Sequence, residues 1–329
     1  MFIQQTAAYL YLCYRVITGT ISVGSFTMYI TAVTTFTKSL REILDSFVEI
    51  KAYDLYFDQL DSYLSVPARL REGKKRDVPQ GEHEVVFENV SFRYNGSRQW
   101  ALKDVNLTLH PGEKLAVVGE NGAGKSTFVK LLLRLYAPVS GRILIDGVDI
   151  SEIDYDQYMS LFSAVLQDYR LFSFSLKDNV SLGRCQDEKR IEEILNYVGM
   201  GKRLGTLEHG IDTSVYKNFD ENGFEPSGGE AQKIALARAL YKDSPIVILD
   251  EPTAAMDPKA EQQLYEHFNE FACGKTAVYI THRLSSSRFC DRIIVFEDGE
   301  IIEEGGHEEL MRAKGRYHEL FQMQAQYYI

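Results

Sequence analysis

Gly119-Glu120-Asn121-Gly122-Ala123-Gly124-Lys125-Ser126-Thr127 is the stretch from which the rest of the chain is read. An apolar run, Leu115-Ala116-Val117-Val118, leads into it, and Phe128–Tyr136 follows with apolar residues at helical spacing. G-x-x-x-x-G-K-[ST] between a strand and a helix is the pattern of a phosphate-binding loop. The residue types follow from the chemistry. Glycines let the backbone curl until several N–H groups face one anion. The helix start adds partial positive charge. Lys125 can reach β- and γ-phosphates, and the Ser126 hydroxyl can ligate Mg²⁺. Gly119, Asn121, Gly122, Ala123, Gly124, Lys125, Ser126 and Thr127 are therefore candidate nucleotide-binding residues.

A second element lies downstream. Ile246-Val247-Ile248-Leu249 runs straight into Asp250-Glu251. An apolar run ending in acids reads as a buried parallel strand that delivers carboxylates to the sheet edge where ligands bind. Asp250 is the candidate holder of Mg²⁺, and Glu251 the candidate general base for an attacking water. Alone, such a run could equally be a strand ending in solvated acids; the phosphate loop gives it weight.

Strand–helix alternation extends on both sides. Val85–Phe87, Ser91–Tyr94, Lys114–Val118, Arg142–Ile145, Ile246–Leu249, Ala277–Ile280 and Ile293–Phe296 read as strands. Ser126–Tyr136 and Glu230–Tyr241 read as helices. The alternation predicts an α/β domain with a largely parallel sheet. Asp298-Gly299, between two apolar runs, signals a hairpin.

Composition narrows the classes. The 329 residues carry a net charge of -11, with 45% hydrophobic and 25% charged residues. That length suggests about two domains. The balance excludes a wholly membrane-embedded chain and wholesale disorder. An acidic surface argues against nucleic acid as a partner. Cys13, Cys185, Cys273 and Cys290 are far apart and show no metal-type pairing, which suits a reducing compartment. Cys273 and Cys290 read as packing residues.

The averages conceal an asymmetry. Residues 1–40 contain two charges, Arg15 and Lys38, and no acid, so all 47 acidic side chains lie beyond them. The opening lacks the basic start and cleavage site of a signal peptide. It holds two apolar stretches, Phe2–Ile17 and Ile21–Phe36, joined by Thr18-Gly19-Thr20. Each is shorter than the roughly 20 apolar residues of a spanning helix and rich in Thr and Tyr; buried soluble helices are the alternative reading. Lys38 and Arg41 suit a cytoplasmic end. Apolar residues from Leu40 to Leu60 then keep helical spacing among charges. Pro67 ends that pattern, and a polar linker follows.

Between the phosphate loop and the acidic strand stands Pro226-Ser227-Gly228-Gly229-Glu230, followed by AQKIALARALYKDSP. This run resembles the signature motif of ATP-binding cassette (ABC) ATPases, and the order of the motifs resembles that family from Val85 to the C-terminus. The resemblance implies a P-loop NTPase cassette, a mixed sheet core with a helical signature subdomain, and assigns roles by position. Tyr94 resembles the aromatic that stacks on adenine. Gly119–Thr127 resembles the Walker A loop. Gln167 resembles the Q-loop glutamine, which contacts Mg²⁺ or water. Asp220-Glu221-Asn222-Gly223 resembles a segment that touches transmembrane helices. Ser227, Gly228, Gly229 and Glu230 resemble the signature that closes on ATP held by another subunit. Asp250 and Glu251 end the Walker B strand. Asp257 resembles the D-loop aspartate, and His282 the switch histidine that bonds the γ-phosphate. Pro226, Glu230, Ala254 and Met256 depart from the commoner Leu, Gln, Ser and Leu.

The N-terminal stretch resembles the last two transmembrane helices and cytoplasmic extension of ABC exporter half-transporters. The expected organisation is residues 1–66 as the end of a transmembrane domain, 67–84 as linker, and 85–329 as the cassette. The resemblance implies ATP and Mg²⁺ as ligands. It implies a second ABC subunit, the same or different, and exporter transmembrane helices as partners. It also implies a cell-membrane location with the cassette on the cytoplasmic side. Relative to that family the chain starts inside the fifth helix, as a fragment or truncated gene product would. Two alternatives are a soluble ABC-type ATPase, for which single-cassette spacing and acidity are unfavourable, and a catalytically silent partner subunit.

Overall fold

Helical spacing of apolar residues carries the first 64 residues into two helices, α1 (Phe2–Ile17) and α2 (Val23–Leu64). The computed structural model describes residues 2–65, 76–79, 81–184, 187–250, 270–282 and 284–326. The chain divides into two units, Met1–Ala68 and Arg69–Ile329.

In the first unit α1 packs on α2. Gly19, at φ +68°, ends α1, and Thr20 Oγ1 donates to Arg15 O at 2.7 Å. Ser22 then caps α2 by accepting from Ser25 N at 3.1 Å. The second apolar stretch and the amphipathic pattern thus form one helix of 42 residues, about 63 Å long. Thr31, Thr34 and Thr37 donate their hydroxyls to the carbonyls of Thr27, Ile30 and Val33 at 2.7–2.9 Å. This internal bonding lets a Thr-rich helix present an apolar surface. Among the described residues, no helix is long and apolar enough to cross a membrane. The 16 residues of α1 extend about 24 Å, short of the roughly 30 Å hydrocarbon layer.

The second unit holds two sheets. β1 (Val85–Phe92), β2 (Leu102–Leu109), β4 (Ser140–Ile145) and β5 (Val148–Asp149) make an antiparallel sheet ordered β2-β1-β4-β5. β3 (Lys114–Gly119), β6 (Phe162–Val165), β7 (Ile246–Asp250), β8 (Thr276–Ile280), β9 (Arg292–Glu297) and β10 (Glu300–Gly305) make the other, ordered β10-β9-β3-β8-β7-β6. Its strands run parallel except β10, which returns from β9 through Asp298 (φ +48°) and Gly299 (φ +83°). The expected largely parallel sheet is present, and the antiparallel sheet beside it completes the expected mixed core. Val85–Phe87 and Ser91–Tyr94 were expected as separate strands. They fall mostly in one strand, irregular near Asn89 (φ +48°), and Tyr94 lies beyond its end.

Alternation along β3 divides the core. Leu115 and Val117 face a cluster with Phe128, Leu131 and Leu132 of α3 (Lys125–Leu132) and with β1, β2 and β4. Ala116 and Val118 face Leu284, Leu310 and Tyr317. After the short α4 (Tyr155–Ser160) comes a helical group: α5 (Leu176–Ser181), α6 (Glu188–Tyr197), α7 (Gly201–Leu204) and α8 (Gly228–Lys242). α5, α6 and α8 bury Leu176, Leu195 and Ile234 with Val247 and Leu249. Part of the expected linker already packs on this unit. Val78 N donates to Gln157 Oε1 at 3.1 Å, and the nearly buried His83 meets Asp146 at 2.8 Å. Cys290 packs between clusters, and burial pushes its thiol up to about 12, whereas Cys273 is exposed.

Candidate functional site

Strand register brings separated parts of the sequence to one edge. Val117 is opposite Ile280, Leu249 is opposite Val165 and Tyr279, and Asp250 is opposite Ile280. The loop after β3, Gln167 beyond β6, Asp250 at the end of β7 and His282 beyond β8 therefore leave the sheet at its carboxyl edge, the usual place for a ligand in such sheets.

The loop after β3 is built by two glycine positions. Gly119 has φ +148°, and a Cβ there would lie 2.3 Å from Phe296 O in β9. Gly124, the N-cap of α3, has φ +114°, and a Cβ would lie 2.8 Å from Ala101 O and from Leu102 Cδ2. The hairpin turn braces the loop, since Gly299 N donates to Ala123 O at 3.0 Å. Gly119→Ala is expected to destabilise the fold by about 2 kcal/mol or more, because backbone rather than a movable side chain blocks the new methyl. Thermal unfolding without nucleotide measures this; an unchanged melting temperature would contradict the packing described.

Lys125 is buried, and its Nζ donates to Gly119 O at 2.9 Å and Glu120 O at 3.0 Å. The ammonium is thus held inside the curl of the loop. A cleft of about 470 Å³ opens beside it, lined by Asn121, Gly122, Lys125, Ser126, Gln167 and His282, with Gly124 and Thr127. This volume falls in the range of small-molecule sites. Asp250 is only 4% exposed at the end of β7. Tyr94 lies beside the loop, its hydroxyl 3.1 Å from Thr127 Oγ1, and its ring edge-on to Phe92 and Tyr136. Glu251 and Asp257 lie outside the described residues.

The signature residues stand elsewhere. Ser227 is the N-cap of α8, exposed, and is not among the residues lining the cleft. Glu230 N donates to Ser227 Oγ at 3.3 Å, while Ser227 N donates to Glu230 Oε2 at 2.8 Å. This reciprocal capping box uses the carboxylate and gives a local reason for Glu230. Arg203 Nε lies 3.3 Å from Glu230 Oε1. Pro226 precedes the cap, outside the helix, where its missing N–H breaks no helical bond.

One feature escaped the sequence reading. Phe172, Phe174 and Phe219 are exposed, and the first two stack at 6.1 Å. Asn218 Nδ2 donates to Ser173 Oγ at 2.8 Å, which ties this segment to the turn at Asp220–Gly223. Phenylalanine at alternate positions soon after Gln167 was the available signal.

Residues 102–254 match the ABC transporter family. The chain is 38% identical to the subtilin transport ATP-binding protein SpaT of Bacillus subtilis over 89% of its own length and 48% of that protein's. It is 35% identical to the ATP-dependent lipid A-core flippase of Burkholderia orbicola (strain AU 1054), over 93% of this chain and 51% of the flippase. The structure of a bacterial Atm1-family ABC exporter with ATP bound superposes with a TM-score of 0.79 at 30% identity, covering 98% of this chain and 56% of that one. The chain thus spans about half the length of the curated relatives it matches.

Proposed function

The chain belongs to the ABC transporter family, on its exporter side, and from that premise we propose that it binds and hydrolyses ATP and couples this cycle to export across the cell membrane. The cleft carries the proposal: Lys125, Ser126, Gln167 and His282 converge there from three strand ends.

In this reading the curled loop and the start of α3 hold the phosphates through N–H groups, and Lys125 turns from its own carbonyls to the β- and γ-phosphates. Ser126 hydroxyl, Gln167 amide and Asp250 carboxylate form an all-oxygen donor set, which fits Mg²⁺ shared with nucleotide phosphates. When bound, that ion neutralises charge on those phosphates. Glu251 takes the proton of the attacking water, Gln167 positions that water, and His282 bonds the γ-phosphate. Tyr94 supports the adenine.

A second ABC subunit completes the site. The exposed Ser227 and Gly228, together with Gly229, begin a 15-residue helix, and that helix start can meet a γ-phosphate held by the partner. The exposed phenylalanines beside Asp220–Gly223 offer an apolar face to exporter helices. The cassette then lies on the cytoplasmic side of the membrane that the N-terminal helices enter. Closing on ATP and opening after hydrolysis is the two-state motion that those helices transmit.

Ser227→Arg separates the two halves of this account. ATP binding at the phosphate loop is expected to stay within about threefold, while turnover falls at least about a hundredfold, the scale of a lost transition-state contact. Nucleotide titration and phosphate release on the full chain measure both. Equal turnover in the two proteins would remove the signature from the site.

A further inference from the structure

We propose that Gln324, near the C-terminus, is a positioning residue for the His282 segment; the inference rests on the nucleotide reading above. Gln324 sits on the helix Arg316–Gln326. Its amide grips the backbone on both sides of residue 283: Leu284 N donates to Gln324 Oε1 at 2.8 Å, and Gln324 Nε2 donates to His282 O. A side-chain amide that donates and accepts at once fixes a loop in translation and rotation.

The helix that carries Gln324 is itself anchored. Glu303 of β10 accepts from Arg316 N and from Tyr317 N, the latter at 2.9 Å, at the helix start. Tyr317, Leu320, Phe321 and Gln324 recur at positions i, i+3, i+4 and i+7, so they share one face. Tyr317 is fully buried, and Leu320 and Phe321 pack on the cluster under β3 and β9. The Tyr317 hydroxyl lies 2.9 Å from Ser287 Oγ, at the far end of the short helix Leu284–Ser287. One helix face therefore holds both ends of the segment that follows His282. Arg316, in the first turn, also donates to Glu120 of the phosphate loop at 2.6 Å.

Position connects this clamp to the chemistry. Gln324 and Leu320 line a second cleft of about 410 Å³ with Glu120, Asn121 and His282. Asn121 and His282 also line the nucleotide cleft. Gln324 is thus one residue removed from the phosphates, and it acts through the backbone of His282. It has little reason to affect ADP, whose phosphates rest on the loop. It matters for the γ-phosphate that His282 meets.

The test uses the full chain in mild detergent. Gln324→Leu removes both hydrogen bonds and keeps the apolar bulk; Gln324→Glu keeps the acceptor and loses the donor. Both are expected to lower kcat about tenfold, with KM for ATP and affinity for ADP within about twofold, because geometry rather than binding is lost. Amide exchange across residues 281–287 is expected to quicken about tenfold in Gln324→Leu. Combined with His282→Ala, Gln324→Leu is expected to add less than about twofold, since residues acting through one another are not additive. Unchanged kcat in both variants, full additivity with His282→Ala, or an equal loss of ADP affinity would each overturn the proposal. A wild-type chain that binds no ATP would instead strike the nucleotide reading itself.

Discussion

Glu251→Gln is expected to stop steady-state turnover while leaving ATP bound. An amide of the same shape cannot accept the proton of an attacking water, and losing a general base costs about 10²–10⁴ in rate. Binding should survive, because the residues proposed to hold phosphate lie in the loop after β3 and in α3. Asp250, buried at the end of β7, keeps its place beside β8. The variant should therefore retain nucleotide through gel filtration and favour the paired state that ATP stabilises. Phosphate release and retained nucleotide per chain are the measurements. Equal hydrolysis by wild type and variant would show the general-base assignment to be wrong.

Lys125→Ala carries the second large effect, on binding. The ammonium is already desolvated in the loop and satisfied by two backbone carbonyls. It can exchange these for phosphate oxygens, and charge-assisted bonds to an anion in a water-poor site are the strong kind. Its loss should weaken ATP binding by about a hundredfold, on the scale of two to three kcal/mol for such bonds. The fold should persist, because alanine is the better helix former at the start of α3. Circular dichroism and nucleotide titration on the same sample separate the two outcomes. Intact ATP affinity in a folded variant would remove Lys125 from the site.

Local chemistry made the site readable from sequence. Gly119, Gly124 and Lys125 need one another at fixed spacing, because a loop that curls round an anion tolerates few side chains. Ile246–Leu249 was readable as a strand because one buried on both faces is a continuous apolar run. The antiparallel sheet was harder. β2 reads LKDVNLTL, a broken alternation whose apolar residues gain meaning only opposite β1. β6 has four residues, too few for a period. Gln324 shows the limit most clearly. Its partners, His282 and Leu284, lie about 40 residues away, and a lone glutamine near a chain end has no pattern that announces them. The N-terminal helices were found by their spacing, and the helical pattern that runs on past Phe36 is one helix, because nothing between Val23 and Leu64 stops it.

The central claim is that this cassette hydrolyses ATP at the phosphate-loop cleft. Its most direct measurement is phosphate release from ATP by the purified full chain, with and without Mg²⁺, beside Lys125→Ala. The account predicts Mg²⁺-dependent turnover proportional to wild-type protein and none above background in the variant. Equal release by the two proteins, or no release by a wild-type chain that binds ATP, would contradict it.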